Sequence, residues 1–355
     1  METNTQNVTV QDVAVWIGLD VSKDSLDACL LRAERKPQHK TFPNEPAGHQ
    51  KLLGWVQHLT ADRAPGQICH FALEATGAYG QAVATFLADA AQRVSVLNPA
   101  RVKYSGIATG QGNKTDKADA LTIANYCRLH APPVWREASH EVRHLRALVR
   151  RLADVQSQLV QEKNRARVPG LLPAVRESLE NSFTFLEAEI QRLRQLIKEH
   201  IDHSPQLKAD QELLVSIPGT LWVIGEATAQ LLLAELPDVK QFGSAEQVAA
   251  WAGLCPQEHR SGVSVRKRTR LSKAGNGHVR KALYFPAIAA VQHNPPVRAL
   301  YQRLKDAGKS GYPRNAWVMA ALGAAMRKLL MLCYGVLKGR QAFDPDWAKP
   351  VQISA

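Results

Sequence analysis

Between residues 139 and 203 two apolar patterns with a near-heptad period follow one another. Leu145, Val149, Leu152, Val155 and Leu159 recur at spacings of four and three, and so do Leu186, Ile190, Leu193 and Ile197. Such spacing stacks apolar side chains on one face of an α-helix and is incompatible with a strand, whose faces alternate every residue. The stretch "VPGLLP" (168–173) separates the two runs. Proline there lacks an amide hydrogen and glycine is free to turn, so one continuous helix is excluded. Two long helices are expected, either folded into an antiparallel pair or wound with another chain. We assign residues 139–205 to a helical coiled-coil arm.

The flanks have different grammars. "AVWIGLDV" (14–21), "SLDACLLRA" (25–33) and "QHKTFPN" (38–44) are strand-like and close together, which predicts a β-meander. A helical pattern at 47–59 and the apolar run "QICHFALEA" (67–75) follow. "GQAVATFLADAAQ" (80–92) then reads as helix, "RVSVLNP" (93–99) as strand, and residues 115–130 as a helix with Thr115 at its N-cap. A meander joined to βα units is a mixed α/β sheet, placed over residues 13–138. From residue 206 to 340 helical patterns dominate, at 213–236, 244–254, 278–292 and 315–339. A polar segment (1–12) and a loose tail (341–355) flank the three regions.

Charge is distributed unevenly. Residues 1–250 carry 27 basic and 28 acidic side chains, whereas residues 251–355 carry 18 basic and 4 acidic ones. A cluster of cations without acids suits a polyanion, because binding releases condensed counterions. The densest part is "HRSGVSVRKRTRLSKAGNG" (259–277), with six Lys/Arg and no acid. Its glycines and β-branched residues do not make an amphipathic membrane-surface helix. No uninterrupted apolar run reaches the ~18 residues of a membrane span. The polar N-terminus lacks the layout of a signal peptide. A cytoplasmic, nucleoid-associated protein without a membrane partner is expected. The five cysteines are scattered and include no CxxC, which speaks against disulfides and a cysteine zinc site.

Four carboxylates stand out by their order. Asp20 ends the first strand and Glu74 the fourth, and Asp116 and Asp119 share a face near a helix start. Taken singly, a strand-end aspartate is a common turn residue, and DxxD at a helix start complements the helix dipole. Brought together, they would repel one another and require cations; hard oxygen donors select Mg²⁺ or Mn²⁺. Two such ions about 4 Å apart clamp a phosphodiester.

The chain at this point resembles the DEDD-type insertion-sequence transposases, related to Piv-type DNA invertases and including members guided by a bridge RNA. The resemblance rests on "GLDVSKDSLD", "ALEATGAYG", "VLNPARVKYSGIATGQGNKTDKADA", "SIPG", "AAWAGLCP", "RSGVSVRKRTRLSKAGNGHVRKALY" and "MRKLLMLCYGVLKG". These run in collinear order from about residue 13 to 340. The resemblance implies an RNase H-like, RuvC-type N-terminal domain, a coiled-coil arm and a mostly α transposase domain. It implies that Asp20, Glu74, Asp116 and Asp119 hold Mg²⁺ and that Ser261 is a covalent nucleophile. It further implies DNA donor and target, a guide RNA from adjacent noncoding sequence, and a homo-oligomer, a dimer of dimers.

Arg266, Lys267, Arg268, Arg270, Lys273, Arg280 and Lys281 are the candidate nucleic-acid contacts. In one place the pattern departs from the family: the usual "IPGIG…TA" is here "IPGTLWVIGEATA", which puts a phosphate-binding turn at Gly219 in doubt. Asp24 and Asp27 receive no metal role and read as solvated positions. Three other readings compete with this one. A RuvC-like nuclease using water would need the acids but not Ser261. An actin-like ATPase would need a phosphate-cradling glycine soon after Asp20, and "LDVSKDS" has none. A binder without catalysis gains nothing from a carboxylate cluster.

Overall fold

The structure is a computed structural model that describes residues 13–33, 35–75, 77–108, 115–217, 225–261, 265–307 and 314–344; for residues 78, 258–261, 265–268 and 314–316 it describes the backbone alone. The chain divides into two compact units, residues 1–137 and 138–355.

The first unit is built on a five-stranded sheet of order β3-β2-β1-β4-β5. Strands β1 (Val13–Val21), β2 (Ser25–Arg32) and β3 (Gln38–Pro43) form the antiparallel meander. Strands β4 (Ile68–Glu74) and β5 (Arg93–Leu97) add in parallel on the other edge of β1. The parallel pairs need crossovers, which helices α1 (Pro46–Leu59) and α2 (Ala78–Asp89) supply. Alternate residues of β1 and β4 serve the two faces of the sheet. On one face Val15, Ile17, Leu19, Phe71 and Leu73 pack with Leu52, Val56, Val83 and Leu87 of α1 and α2. On the other face Ala72 and Leu97 pack with Val102 of α3 (Pro99–Ala108) and with Ile123, Tyr126 and Cys127 of α4 (Asp116–His130). Helix α3 was not anticipated, because "NPARVKYSGIA" has no apolar period; it buries Val102 and Gly106 alone.

The second unit begins with α5 (His140–Ala166) and α6 (Pro173–Asp202). They run antiparallel within the chain. The His200 imidazole Nε2 lies 2.8 Å from the Glu141 carbonyl at one end, and Lys163 meets Glu187 at 2.8 Å toward the other. Val155, Leu186, Ile190 and Leu193 form their seam. Their roots, Leu145, Val149, Ile197 and Ile201, merge into a larger helical core. That core is completed by α7 (Pro205–Val215), α8 (Glu226–Glu235), α9 (Ala245–Trp251), α10 (Gly277–His293), α11 (Pro295–Asp306) and α12 (Arg314–Gly339).

Residues Trp317–Gly339 of α12 are long and apolar enough to cross a membrane by length and composition. Most of that stretch is buried, with Leu322, Ala325, Leu329, Leu330 and Cys333 in the core of the unit. The basic stretch that carries Ser261 is a β-hairpin, β6 (Pro256–Ser261) with β7 (Val265–Leu271). Its strands are set by backbone pairing. The sequence shows no apolar alternation there, which is why the hairpin was not visible in it. All five cysteines are free, and all but Cys255 are buried.

Candidate active site

Three elements bring the acids toward one end of the sheet. Strands β1 and β4 are parallel neighbours with Leu19 opposite Leu73, so Asp20 and Glu74 follow on the next rung. Helix α4 lies directly across β1 at Gly18. A Cβ at Gly18 would stand 2.1 Å from the Ala120 carbonyl oxygen and 2.5 Å from the Ala124 amide. Only a residue without a side chain admits that approach, and it places the first turn of α4, with Asp116 and Asp119, beside the end of β1. Thr115 caps the helix as expected: its hydroxyl accepts from the Ala118 amide at 3.2 Å.

The electrostatics report the same proximity. Burial, together with the charges of Asp119, Asp116 and Asp27, raises the Asp20 carboxyl above its ordinary range. Burial, with the charges of Asp20 and Asp119, raises Glu74 likewise. Among the described residues no lysine or arginine forms a salt bridge with any of the four acids. Nor do the described residues include a group of three or more His, Cys, Asp or Glu drawn close enough to hold a metal ion as it stands. The charges of Asp116 and Asp119 act on Asp20, and those of Asp20 and Asp119 on Glu74, without the four drawing together as a metal-binding group.

Asp27 was passed over in the sequence. Its Cα is paired with that of Asp20 across the β1–β2 ladder. Directly opposite residues of an antiparallel pair share a face, so Asp27 is half-buried on the face of Asp20 and adds to its repulsion. Its Oδ1 accepts from the Thr41 hydroxyl at 2.6 Å. The legible signal was the two-residue turn arithmetic that pairs residue 20 with residue 27.

Ser261 is the last residue of β6, and its backbone pairs with Val265. Its side chain, and those of Arg266, Lys267 and Arg268, lie outside what the structure describes, as do Ser264 and Gly219 altogether. The exit of the hairpin is firmly built. The Ser272 amide donates to the Cys255 carbonyl at 2.9 Å, and the Lys273 amide to the Gly253 carbonyl at 3.1 Å. Gly253 has a φ of 72°, a conformation that favours glycine.

Comparison with known proteins decides the family. Residues 17–172 match a DEDD transposase profile of IS110 type, and residues 211–302 match the transposase profile of the IS116/IS110/IS902 family. The pilin gene-inverting protein of Moraxella bovis is 30% identical over 330 residues, spanning 93% of this chain and 97% of the relative. The chain belongs to the IS110 family of transposases. The pilin gene-inverting protein of Moraxella lacunata matches to the same extent. An insertion element IS110 protein of 43.6 kDa from Streptomyces coelicolor is 27% identical over 186 residues, spanning 52% of this chain and 42% of the relative.

In this IS110-family transposase the DEDD profile covers the whole acidic region. The second profile covers the hairpin and α10. Of the basic candidates there, Arg270, Lys273 and Lys281 are exposed. Arg280 is half-buried and has structural work of its own: its Nη1 donates to the Ala252 carbonyl at 2.8 Å. Asn276 and Glu235 were missed in the sequence. Asn276 caps α10 by accepting from the His278 and Val279 amides. Its Nδ2 donates to Glu235 at 2.9 Å, which ties the start of α10 to α8.

Proposed function

We propose that this transposase cleaves and rejoins DNA strands through a covalent link to Ser261, assisted by the carboxylates Asp20, Glu74, Asp116 and Asp119. The observation that carries the acidic half is the pairing of β1 with β4, which sets Asp20 beside Glu74 with the α4 acids in their field. The Ser261 half is supported by its position on a basic hairpin within the stretch that the second transposase profile matches.

The serine oxygen forms a bond to phosphorus while a phosphorus–oxygen bond to one deoxyribose breaks. The leaving oxygen departs as a hydroxyl and the serine proton passes to a base. Arginine is excluded as that base because guanidinium stays protonated at neutral pH; the basic side chains instead offset charge building on the phosphate. Attack by a second hydroxyl on the phosphoserine then restores both a phosphodiester and the serine, so no ATP is consumed. The four carboxylates would hold Mg²⁺, or Mn²⁺, which when bound lowers the pKa of the attacking hydroxyl and offsets leaving-group charge. RNA guidance and a dimer of dimers assembled through α5 and α6 belong to the same proposal, on the resemblance to guided members of the family.

The test is a denaturation-resistant protein–DNA adduct formed by the full chain with Mg²⁺ on its own element's ends. Adduct is expected with wild-type protein and none with Ser261→Ala. An adduct that persists in Ser261→Ala assigns the nucleophile elsewhere. Cleavage without adduct in both proteins identifies a water-using nuclease. RNA sequencing of the protein purified from its native host addresses guidance: one discrete RNA mapping beside the gene supports it, and no enriched RNA removes it.

A further inference from the structure

Beyond the hairpin, the second unit holds a cavity of about 490 Å³ between the end of β7, the first half of α10 and the middle of α12. That volume lies in the range of sites that take a small planar group. Its wall is apolar, with Leu271, Tyr284, Phe285 and Met319. Phe285 is 76% exposed and Met319 52% exposed. The Phe285 ring stands edge-on to Tyr284, with centroids 5.3 Å apart and planes at 85°. One phenyl face is thereby fixed in orientation while the ring remains in solvent.

Phe285 points its ring away from the core on a helix whose other face is buried. It does not contribute to the core of the unit, whereas its neighbours Leu283, Pro286 and Ala287 are buried. The rim supplies the second observation. Lys273, Arg280 and Lys281 line the same cavity. The Arg280 fork is held in place through Ala252, and Lys273 sits on the firmly bonded exit of the hairpin. An apolar slot with an aromatic wall and a rim of three cations, with no acid among its lining residues, matches a nucleotide: a base with a π-face and a phosphate on each side.

We infer that this cavity takes an unpaired base of a DNA strand, stacked on Phe285, with Lys281 and Lys273 on the flanking phosphates. The inference rests on the reading of the protein as a strand-exchanging DNA enzyme, since strand exchange requires bases to leave the duplex near the cut. It adds a residue, Phe285, and a mode of contact, stacking, that the basic residues alone do not provide. Stacking tolerates any base, so the slot holds an unpaired strand without reading its sequence.

The experiment uses the full chain with a mixed-sequence 20-mer of single-stranded DNA carrying 5-iodouracil, its duplex, and an RNA of the same sequence. Light couples iodouracil to a stacked aromatic ring. The expected result is a single-strand crosslink mapping to Phe285, and about tenfold weaker single-strand binding in Phe285→Ala with duplex binding unchanged. Phe285→Trp should restore binding. Because residue 285 is exposed, the alanine variant should keep its fold; circular dichroism verifies that. Unchanged single-strand affinity in Phe285→Ala, or a crosslink elsewhere, overturns the inference and leaves the enzyme reading standing. A Phe285 crosslink to RNA and not to DNA also overturns it. Failure of the wild-type chain to bind any of the three probes overturns the inference, and the adduct assay on the element's ends then decides the enzyme reading.

Discussion

The Arg150 guanidinium grips the Glu235 carboxylate with two hydrogen bonds, Nε to Oε1 at 2.7 Å and Nη2 to Oε2 at 2.9 Å. Glu235 is 4% exposed, and its second oxygen also accepts from Asn276. The root of the long hairpin (α5), the core (α8) and the cap of α10 thus meet on one buried charge. Glu235→Ala is expected to lower the stability of the second unit by about 2 kcal/mol, the cost of leaving the half-buried Asn276 donor unmatched and losing a charged hydrogen bond. Urea unfolding followed by circular dichroism measures it.

The same carboxylate sets a pH dependence. Burial alone would push the Glu235 carboxyl up, but its hydrogen bonds to Arg150 and Asn276 hold it below the ordinary glutamate value. The native state therefore keeps the charge where the unfolded chain takes up a proton. Its stabilisation is complete above the ordinary value of roughly 4.3 and is lost as pH falls through the depressed one. The stability deficit of Glu235→Gln relative to wild type should accordingly be present at pH 7 and shrink below about pH 4, in paired urea titrations.

Gly18→Ala should damage the acidic site without touching an acid. The new methyl would lie 2.1 Å from the Ala120 carbonyl, which is helix backbone and cannot step aside. Helix α4 would be forced off β1, with a cost of about 1–3 kcal/mol and loss of strand cleavage, because Asp116 and Asp119 ride on that helix. Thermal unfolding and a cleavage assay on the purified variant check both parts.

Asp20→Asn separates stability from function. Asp20 is crowded by the charges of Asp119, Asp116 and Asp27, so removing its charge should raise the melting temperature in chelated buffer while cleavage disappears. In wild-type protein, Mg²⁺ at ten times its dissociation constant should add about 1.4 kcal/mol of stability, and Asp20→Asn should blunt that gain. A Mg²⁺-independent melting temperature in wild type would show that the carboxylates hold no ion.

Much of the architecture was legible because it is written in local periods. The spacing of Leu145, Val149, Leu152 and Val155 announced α5, and the alternation in "AVWIGLDV" announced β1. Thr115 announced the start of α4. Helix α3 and the β6–β7 hairpin were not legible. Each lacks a sustained apolar period, and each is held by contacts or backbone pairing with partners that a local pattern does not name.

The sequence by itself determined which residues are available for chemistry: four acids in a set order, a serine among arginines, and a family membership that the collinear motifs carry. Only the tertiary structure decided which of them meet. Whether Asp20 lies beside Glu74 depends on β1 pairing with β4, and whether α4 reaches them depends on Gly18. The placing of Asp27 opposite Asp20, of Glu235 under Asn276 and of Phe285 over an open cavity likewise belongs to the fold. The physical reason is that electrostatic and packing energies depend on distance in space, and residues separated along the chain acquire that distance only when it has folded.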